Sequence, residues 1–352
     1  MNSLGTPGRV VGGNPTRGPA PAGIPQPCAP ARNDSVNNPR SPIPSRFPAP
    51  GLARDCRTDS NLRVESSQNG QGHPAFGIHV KRAFVIGHPI SHSRSPLIHS
   101  HWLAAYGVDG SYEAIDVAPS DLPAFIDRLR AGEFAGGNVT LPHKEAVFAL
   151  CDEVDPLATM IGAVNTLVVR DGRVLGTNTD YLGFLGNLDA AAPGWSDGPN
   201  DALIIGAGGA ARAVLVALRR RDGGRVHVLN RTLAKAEALV EEIDGPFEAH
   251  GFEAFPELAP RIGLVVNTSS IGMHGSRLDW LDLSLLSPGT LVTDIVYVPL
   301  VTPLLADARA HGLPIVDGLG MLLHQAVPGF EAWFGVRPEV TPQLRAKVEA
   351  SL

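Results

Sequence analysis

Cysteine is scarce in this chain: three in 352 residues, Cys28, Cys56 and Cys151, with no pair at CxxC spacing. That excludes a disulfide framework and suits a reducing compartment, with the cytoplasm as the expected location. No apolar run approaches the roughly 18 to 20 residues of a membrane span, so no membrane partner is expected. Lysine is absent from the first 80 residues, which hold eight Arg and four acids. The remainder keeps 21 basic and 31 acidic residues, a net charge of −10, which argues against nucleic acid as the main partner. Aromatics are few, 6% of residues, whereas the 39 Gly and 31 Pro fit an α/β protein with many tight strand-to-helix turns. With 43% hydrophobic residues the chain can bury a large core and is long enough for two domains.

Residues 1–80 are rich in Pro, Gly, Asn, Ser and Arg and show no periodicity, so they read as a disordered extension. They carry no apolar stretch of the kind a secretory signal needs. An Arg-rich, acid-poor leader is compatible with a transit peptide; a plain extension or a mis-set start codon are the simpler readings. From KRAFVIG at 81–87 onward, strands and helical patterns alternate, the signature of a parallel sheet with crossover helices. A hairpin is expected where AVNTLVV and RVLGTN flank Asp171-Gly172, a favoured type I′ pair. The loop APGWSDGPN marks a domain boundary. After it, the strand DALII enters Gly206-x-Gly208-x-x-Ala211 and then an apolar-periodic helix, the context a dinucleotide fingerprint requires. Gly206, Ala207, Gly208, Gly209 and Ala210 form the turn that would meet a pyrophosphate. The next strand ends at Asn230 with Arg231 and Thr232. An acid there would bind a ribose 2′-hydroxyl, whereas Arg accommodates a 2′-phosphate, so the expected cofactor is NADP.

Three polar groupings lie in the first half. Ser95 reads as an N-cap with Pro96 at the first helical position, and Ser93 stands two residues before it, a point suited to a carboxylate. Asn138, Thr140 and Lys144 follow a strand. Pro142 suits the start of a helix, which would place Lys144 against the helix dipole and favour loss of its charge. Asn165 and Asp180 complete the set, Asp180 at a helix start. His88, His92, His99 and His101 cluster but would span a loop and a helix, where residues two apart do not face each other, so no metal is expected.

The segments VIGHPISHSRSP, GGNVTLPHKE, GAVNTL, NTD, GAGGAARAV, NRT, VVNTSSIGM, DIVYVPLVTPLL and DGLGMLLHQA resemble, in order, those of the shikimate dehydrogenase family over residues 82 to 335. The resemblance implies reversible, NADPH-dependent reduction of 3-dehydroshikimate to shikimate in aromatic amino acid (chorismate) biosynthesis. It implies Lys144 and Asp180 as the catalytic pair. It implies Ser93, Ser95, Asn138, Thr140, Asn165, Tyr297 and Gln325 around the substrate. Asn230, Arg231, Thr232 and Lys235 would clamp the adenosine phosphate, and Gly318 and Met321 would lie near the nicotinamide. Two positions depart from the pattern: Lys235 stands where a second Arg is frequent, and Tyr181 follows NTD where Gly is frequent, which would reshape the substrate-edge loop. A quinate/shikimate dehydrogenase and a non-catalytic shikimate- or dinucleotide-binding regulator are the alternatives. The expected architecture is two-domain α/β. After the extension come a substrate domain at 81–180, a Rossmann NADP domain at 181–317 and helices at 318–352 returning to the substrate domain. A homodimer is left open.

Overall fold

The computed structural model describes residues 80–352 except 198, 199, 222, 223 and 274; the expected disorder before Val80 lies outside the described residues. Twelve strands among these form two six-stranded sheets. The first contains β1 (Lys81–Gly87), β2 (Gly110–Asp116), β3 (Gly136–Val139), β4 (Glu153–Val154), β5 (Thr166–Arg170) and β6 (Arg173–Thr177). Their order is β2-β1-β3-β5-β6-β4. Strand β1 is parallel to both β2 and β3, while β5 runs antiparallel to β3 and to β6. The sheet is therefore mixed, because the 171–172 turn folds β6 straight back on β5. Asp171 and Gly172 both take positive φ, 51° and 71°, as a type I′ turn requires.

Strand β1 is buried on both faces from Ala83 to Ile86, as expected for a strand covered by helices on either side. Alternation divides it: Ala83 and Val85 pack toward α1 (Ser95–Tyr106), and Phe84 and Ile86 toward α2 (Leu122–Arg130). A short α3 (Pro156–Ile161), unforeseen from the sequence, is capped by Asp155, whose carboxylate accepts the N–H groups of Leu157 and Ala158 at 2.8 Å.

Helix α4 (Asp180–Ala191) leads into the second sheet. Its strands are β7 (Asp201–Ile205), β8 (Val226–Leu229), β9 (Phe247–His250), β10 (Ile262–Asn267), β11 (Leu291–Asp294) and β12 (Ile315–Val316). All pairings are parallel, in the order β12-β11-β10-β7-β8-β9. Counted from β7, that is the doubly wound dinucleotide-binding order, with its switch point between β7 and β10. Helices α5 (Gly209–Arg219) and α6 (Leu233–Glu242) cover one face, and α7 (Phe255–Leu258) and α8 (Pro303–Ala310) the other.

Helix α9 (Leu319–Phe334) carries the chain back to the first sheet, followed by α10 (Pro342–Glu349). Leu319, Leu323, Phe330 and Trp333 of α9 share a core with Val85, Ile98 and Trp102. The Trp333 indole donates to the Leu167 carbonyl at 2.8 Å, so the buried N–H is satisfied. Helices α4 and α9 approach closely because glycine lines their contact. A Cβ on Gly183 would lie 2.6 Å from the Met321 carbonyl oxygen and from Gln325 Cβ. We therefore expect Gly183→Ala to wedge α9 away from α4, destabilise by about 1–3 kcal/mol and depress turnover by displacing Gln325. Thermal denaturation and kinetics check this; an unchanged melting temperature would show that the helices can yield.

Candidate functional site

The loops after β1 and β3 leave the same edge of the sheet, because those strands are parallel neighbours, Ile86 beside Val139. They meet directly: the Thr140 N–H donates to the Ile86 carbonyl at 2.9 Å and the His88 N–H to the Leu141 carbonyl at 3.1 Å. No α-helix begins at Pro142. Residues 141–146 form turns, the Leu141–Pro142 peptide is cis, and a short 3₁₀ helix starts only at Val147. The Lys144 carbonyl accepts the Val164 N–H at 2.9 Å, so it serves a neighbouring loop instead of a helical ladder. The helix-dipole argument for Lys144 is thus corrected. Its partner is a side chain: Lys144 Nζ donates to Asp180 Oδ2 at 2.7 Å. Buried His143 anchors this loop through Nε2, 2.7 Å from the Val117 carbonyl.

Asp180 is the first residue of α4, as expected, with its own N–H bonded to Asn178 Oδ1 at 2.9 Å. Its second carboxylate oxygen accepts Asn165 Nδ2 at 2.7 Å. Asn165 is the centre of the network. Its Nδ2 also reaches Gln325 Oε1 at 3.4 Å, while its Oδ1 accepts the Thr179 N–H and the Thr166 hydroxyl, each at 2.8 Å. Behind it, Asn138 donates to the Asn165 carbonyl at 3.3 Å and to Thr166 Oγ1 at 3.2 Å, and accepts from the Tyr112 hydroxyl at 2.7 Å. Both Asn138 donors are therefore taken by protein, and in this geometry it braces Asn165 instead of offering a donor outward. Tyr112, Thr166 and Thr179 were not singled out from the sequence. Tyr112 and Thr166 on their strands and Thr179 just before α4 carry no local signal, and only the fold aims them inward.

Ser95 is the first residue of α1, one place inside the expected cap position, and Ser93 Oγ accepts its N–H at 3.3 Å. The Ser95 side chain sits beside the Tyr112 phenol, joining this serine pair to the Asn138 network. Tyr297 packs against the core shared by α1 and α9, its phenol pushed above its ordinary range by burial. Tyr181 lies in the first turn of α4, not in a loop. Its ring packs against the core under α5, with the Arg220 guanidinium 5.8 Å from its centroid, so the expected reshaping of a substrate-edge loop is corrected. Burial raises the Cys151 thiol to about 11, which removes it as a nucleophile at neutral pH.

At the second sheet, Gly206 directly follows β7 with φ of 107° and Gly208 precedes α5. A Cβ on Gly206 would lie 3.0 Å from Thr268 Oγ1, so glycine is needed for both conformation and space. At Gly208 and Gly209 a Cβ would meet nothing within 4 Å, so the backbone at the α5 N-terminus faces open space suited to a phosphate. Ala211 is fully buried under the sheet. Arg231, Thr232 and Lys235 follow β8, β7's parallel neighbour, and are exposed. Neither Arg231 nor Lys235 forms an ion pair among the described residues. The Asn230 side chain holds this turn by donating to the Thr232 carbonyl at 2.8 Å. Gly318 precedes α9, where a Cβ would lie 2.5 Å from the Ile295 carbonyl oxygen, and Met321 packs in the core under α5. Open backbone donors and free cations at one sheet edge fit an NADP phosphate set.

Comparison with known proteins agrees with this architecture. Residues 85–167 match the shikimate dehydrogenase substrate binding domain, 196–275 the shikimate / quinate 5-dehydrogenase domain and 318–345 the shikimate 5′-dehydrogenase C-terminal domain. The shikimate dehydrogenase (NADP(+)) of Mesorhizobium japonicum is 58% identical over 273 residues, 77% of this chain and 97% of that protein. That of Methylobacterium radiotolerans is 57% identical over 276 residues, with the same coverage. The shikimate 5-dehydrogenase of Thermus thermophilus, solved with NADP(H) and shikimate, superposes with a TM-score of 0.69 at 39% identity, over 78% of this chain and all of that one. The chain therefore belongs to the shikimate dehydrogenase family.

Proposed function

We propose that this chain reduces 3-dehydroshikimate to shikimate reversibly, with NADPH as reductant, and that Lys144 is its proton donor. The observation that carries the chemistry is the 2.7 Å contact between Lys144 and Asp180 at the edge where the β1 and β3 loops meet α4. When bound, the nicotinamide cofactor supplies or accepts the hydride. Lys144 Nζ delivers a proton to the carbonyl oxygen as negative charge develops there, and takes it back in the oxidation. The Asp180 carboxylate, held by Lys144 on one oxygen and Asn165 on the other, keeps the ammonium aimed at the substrate. The Lys144 side chain is 27% exposed, enough for its proton to be replaced from water.

In this reading Ser93, Ser95 and the α1 N-terminus take the substrate carboxylate, and Thr140, Gln325 and Tyr297 surround the ring. Asn138 and Asn165 act mainly by fixing Asp180 and Gln325. The substrate domain spans 81–180 and the NADP domain 181–317, with 318–352 returning to the former. The scarcity of cysteine favours a cytoplasmic location, and no helix among the described residues is long and apolar enough to cross a membrane. Pairing into a homodimer is tested by elution volume.

The full chain should turn over shikimate with NADP in preference to NAD, and should use quinate poorly. A quinate dehydrogenase of Corynebacterium glutamicum, solved in complex with NAD, is 31% identical with a TM-score of 0.70 and makes this a real contrast. Arg231 is the discriminating residue. Replacing it by Ala should raise KM for NADP by about 10-fold, as expected for loss of a charge-assisted phosphate contact of about 1.5 kcal/mol, and leave KM for NAD unchanged. Equal loss with both cofactors would assign Arg231 to another task. Tight binding of shikimate without turnover would favour the regulator instead.

A further inference from the structure

The outer edge of the second sheet gathers three side chains that the proposed reaction does not use. His227 of β8 and Glu248 of β9 are register partners in the parallel ladder, and His250 lies two residues beyond Glu248 on the same face. His227 is fully buried, and Glu248 and His250 partly so. His227 Nδ1 is 3.0 Å from His250 Nε2 and 3.4 Å from Glu248 Oε2, and the last two atoms are 3.6 Å apart. Ligands around a tetrahedral Zn²⁺, at 2.0–2.2 Å from the ion, are about 3.3–3.6 Å from one another. A triangle of this size has a point about 2.1 Å from all three atoms, just outside its plane, which is a zinc-to-ligand distance.

The surroundings orient each ligand. The other nitrogen of His227, Nε2, is 3.2 Å from Asp201 Oδ2, an arrangement that fixes the imidazole tautomer and leaves Nδ1 with its lone pair. Asp201 is in turn held by Arg261 Nε at 3.3 Å. Arg225 binds Oε1 of Glu248, so the carboxylate presents its other oxygen, Oε2, to the two imidazoles. Two imidazoles and one carboxylate form a donor set that zinc accepts, with a fourth position left for water.

We propose that His227, Glu248 and His250 bind one divalent transition-metal ion, Zn²⁺ in preference, as a clasp between edge strand β9 and β8. The clasp is structural. The ion would tie an edge strand to its one sheet neighbour among the described residues, at a residue whose carbonyl accepts the Asn230 N–H at 3.2 Å and so supports the turn carrying Arg231.

The test uses the full, tag-free chain, stripped with EDTA, loaded with ZnCl₂ and desalted. Elemental analysis should find about one zinc per chain, and the melting temperature should rise on loading and fall again with EDTA. His250→Ala and Glu248→Gln, both on partly exposed side chains, should keep native circular dichroism and lose the retained zinc. Co²⁺ in place of zinc should give the visible absorption of a four-coordinate ion in the parent and not in His250→Ala. Zinc retained at under about a tenth of an equivalent would overturn the proposal and leave the three groups as a hydrogen-bonded cluster. So would His250→Ala holding as much zinc as the parent, since the ion would then sit elsewhere.

Discussion

Lys144→Ala should lower turnover of shikimate by about 10²- to 10⁴-fold with little change in KM, the size expected when a positioned proton donor is removed. The split between the two constants is the informative part. Lys144 contacts Asp180 and no other side chain among the described hydrogen bonds, so removing it leaves the Asn138–Thr166–Asn165 scaffold in place. The substrate contacts proposed for the serine pair and Gln325 are likewise untouched. A loss confined to KM would mean that Lys144 binds without transferring a proton. Asp180→Asn provides the complement. It removes the charge facing Lys144 but keeps an acceptor, so turnover should fall while the fold, read by melting temperature, is preserved. An unchanged turnover in Lys144→Ala would end the assignment of the proton donor.

The protein should lose stability as pH falls from about 6.5 to about 3, and a large share of that loss should vanish in His99→Phe. His99 is completely buried, its ring stacked 4.0 Å from Tyr112 and edge-on to Trp102 at 5.6 Å, with Phe330 and Trp333 around it. Burial lowers its pKa from 6.5 to about 3; Asn138 nearby opposes this weakly, but neither ring nitrogen makes a hydrogen bond. The sign follows from where protons bind. Between those two values the unfolded chain protonates His99 and the folded chain does not, so acid favours unfolding. Above 6.5 the contribution is fully present, and through this window it is lost, on the order of 5 kcal/mol in all. Urea denaturation at pH 7 and pH 4 measures it. His99→Phe keeps an aromatic ring among aromatic neighbours and removes the titration, so its stability should change less between the two pH values. Equal losses in the parent and the variant would mean that His99 takes up its proton without unfolding.

The Asp171-Gly172 turn was legible because both residues tolerate positive φ, and the structure has them there. The Gly206–Ala211 turn was legible for a similar reason, with a strand before it and an apolar helix after it. The helix expected at Pro142 was not found. Proline suits a first helical position, but the Lys144 carbonyl is taken by Val164 across the loop, and a long-range bond of that kind outweighs local preference. Asn138 and Asn165 could be named from their motifs. That the Asn138 amide is occupied by Thr166 and the Asn165 main-chain carbonyl, and the Asn165 amide by Asp180, could not, since those partners are set by strand register and by where α4 begins.

By itself, then, the sequence determined the elements whose conformation is a property of a few adjacent residues: the dinucleotide-binding turn, the hairpin, the start of α4 at Asp180, and the absence of an acid after β8 where a 2′-phosphate would lie. Only the tertiary structure decided which distant groups meet. It set Lys144 against Asp180 across 36 positions and brought Gln325 to Asn165 across 160, because α9 returns to the first sheet and packs on the glycine face of α4. It also aligned His227 with Glu248 through the register of two parallel strands. Contacts of this kind depend on loop closure and packing over the whole core, and no local pattern encodes them.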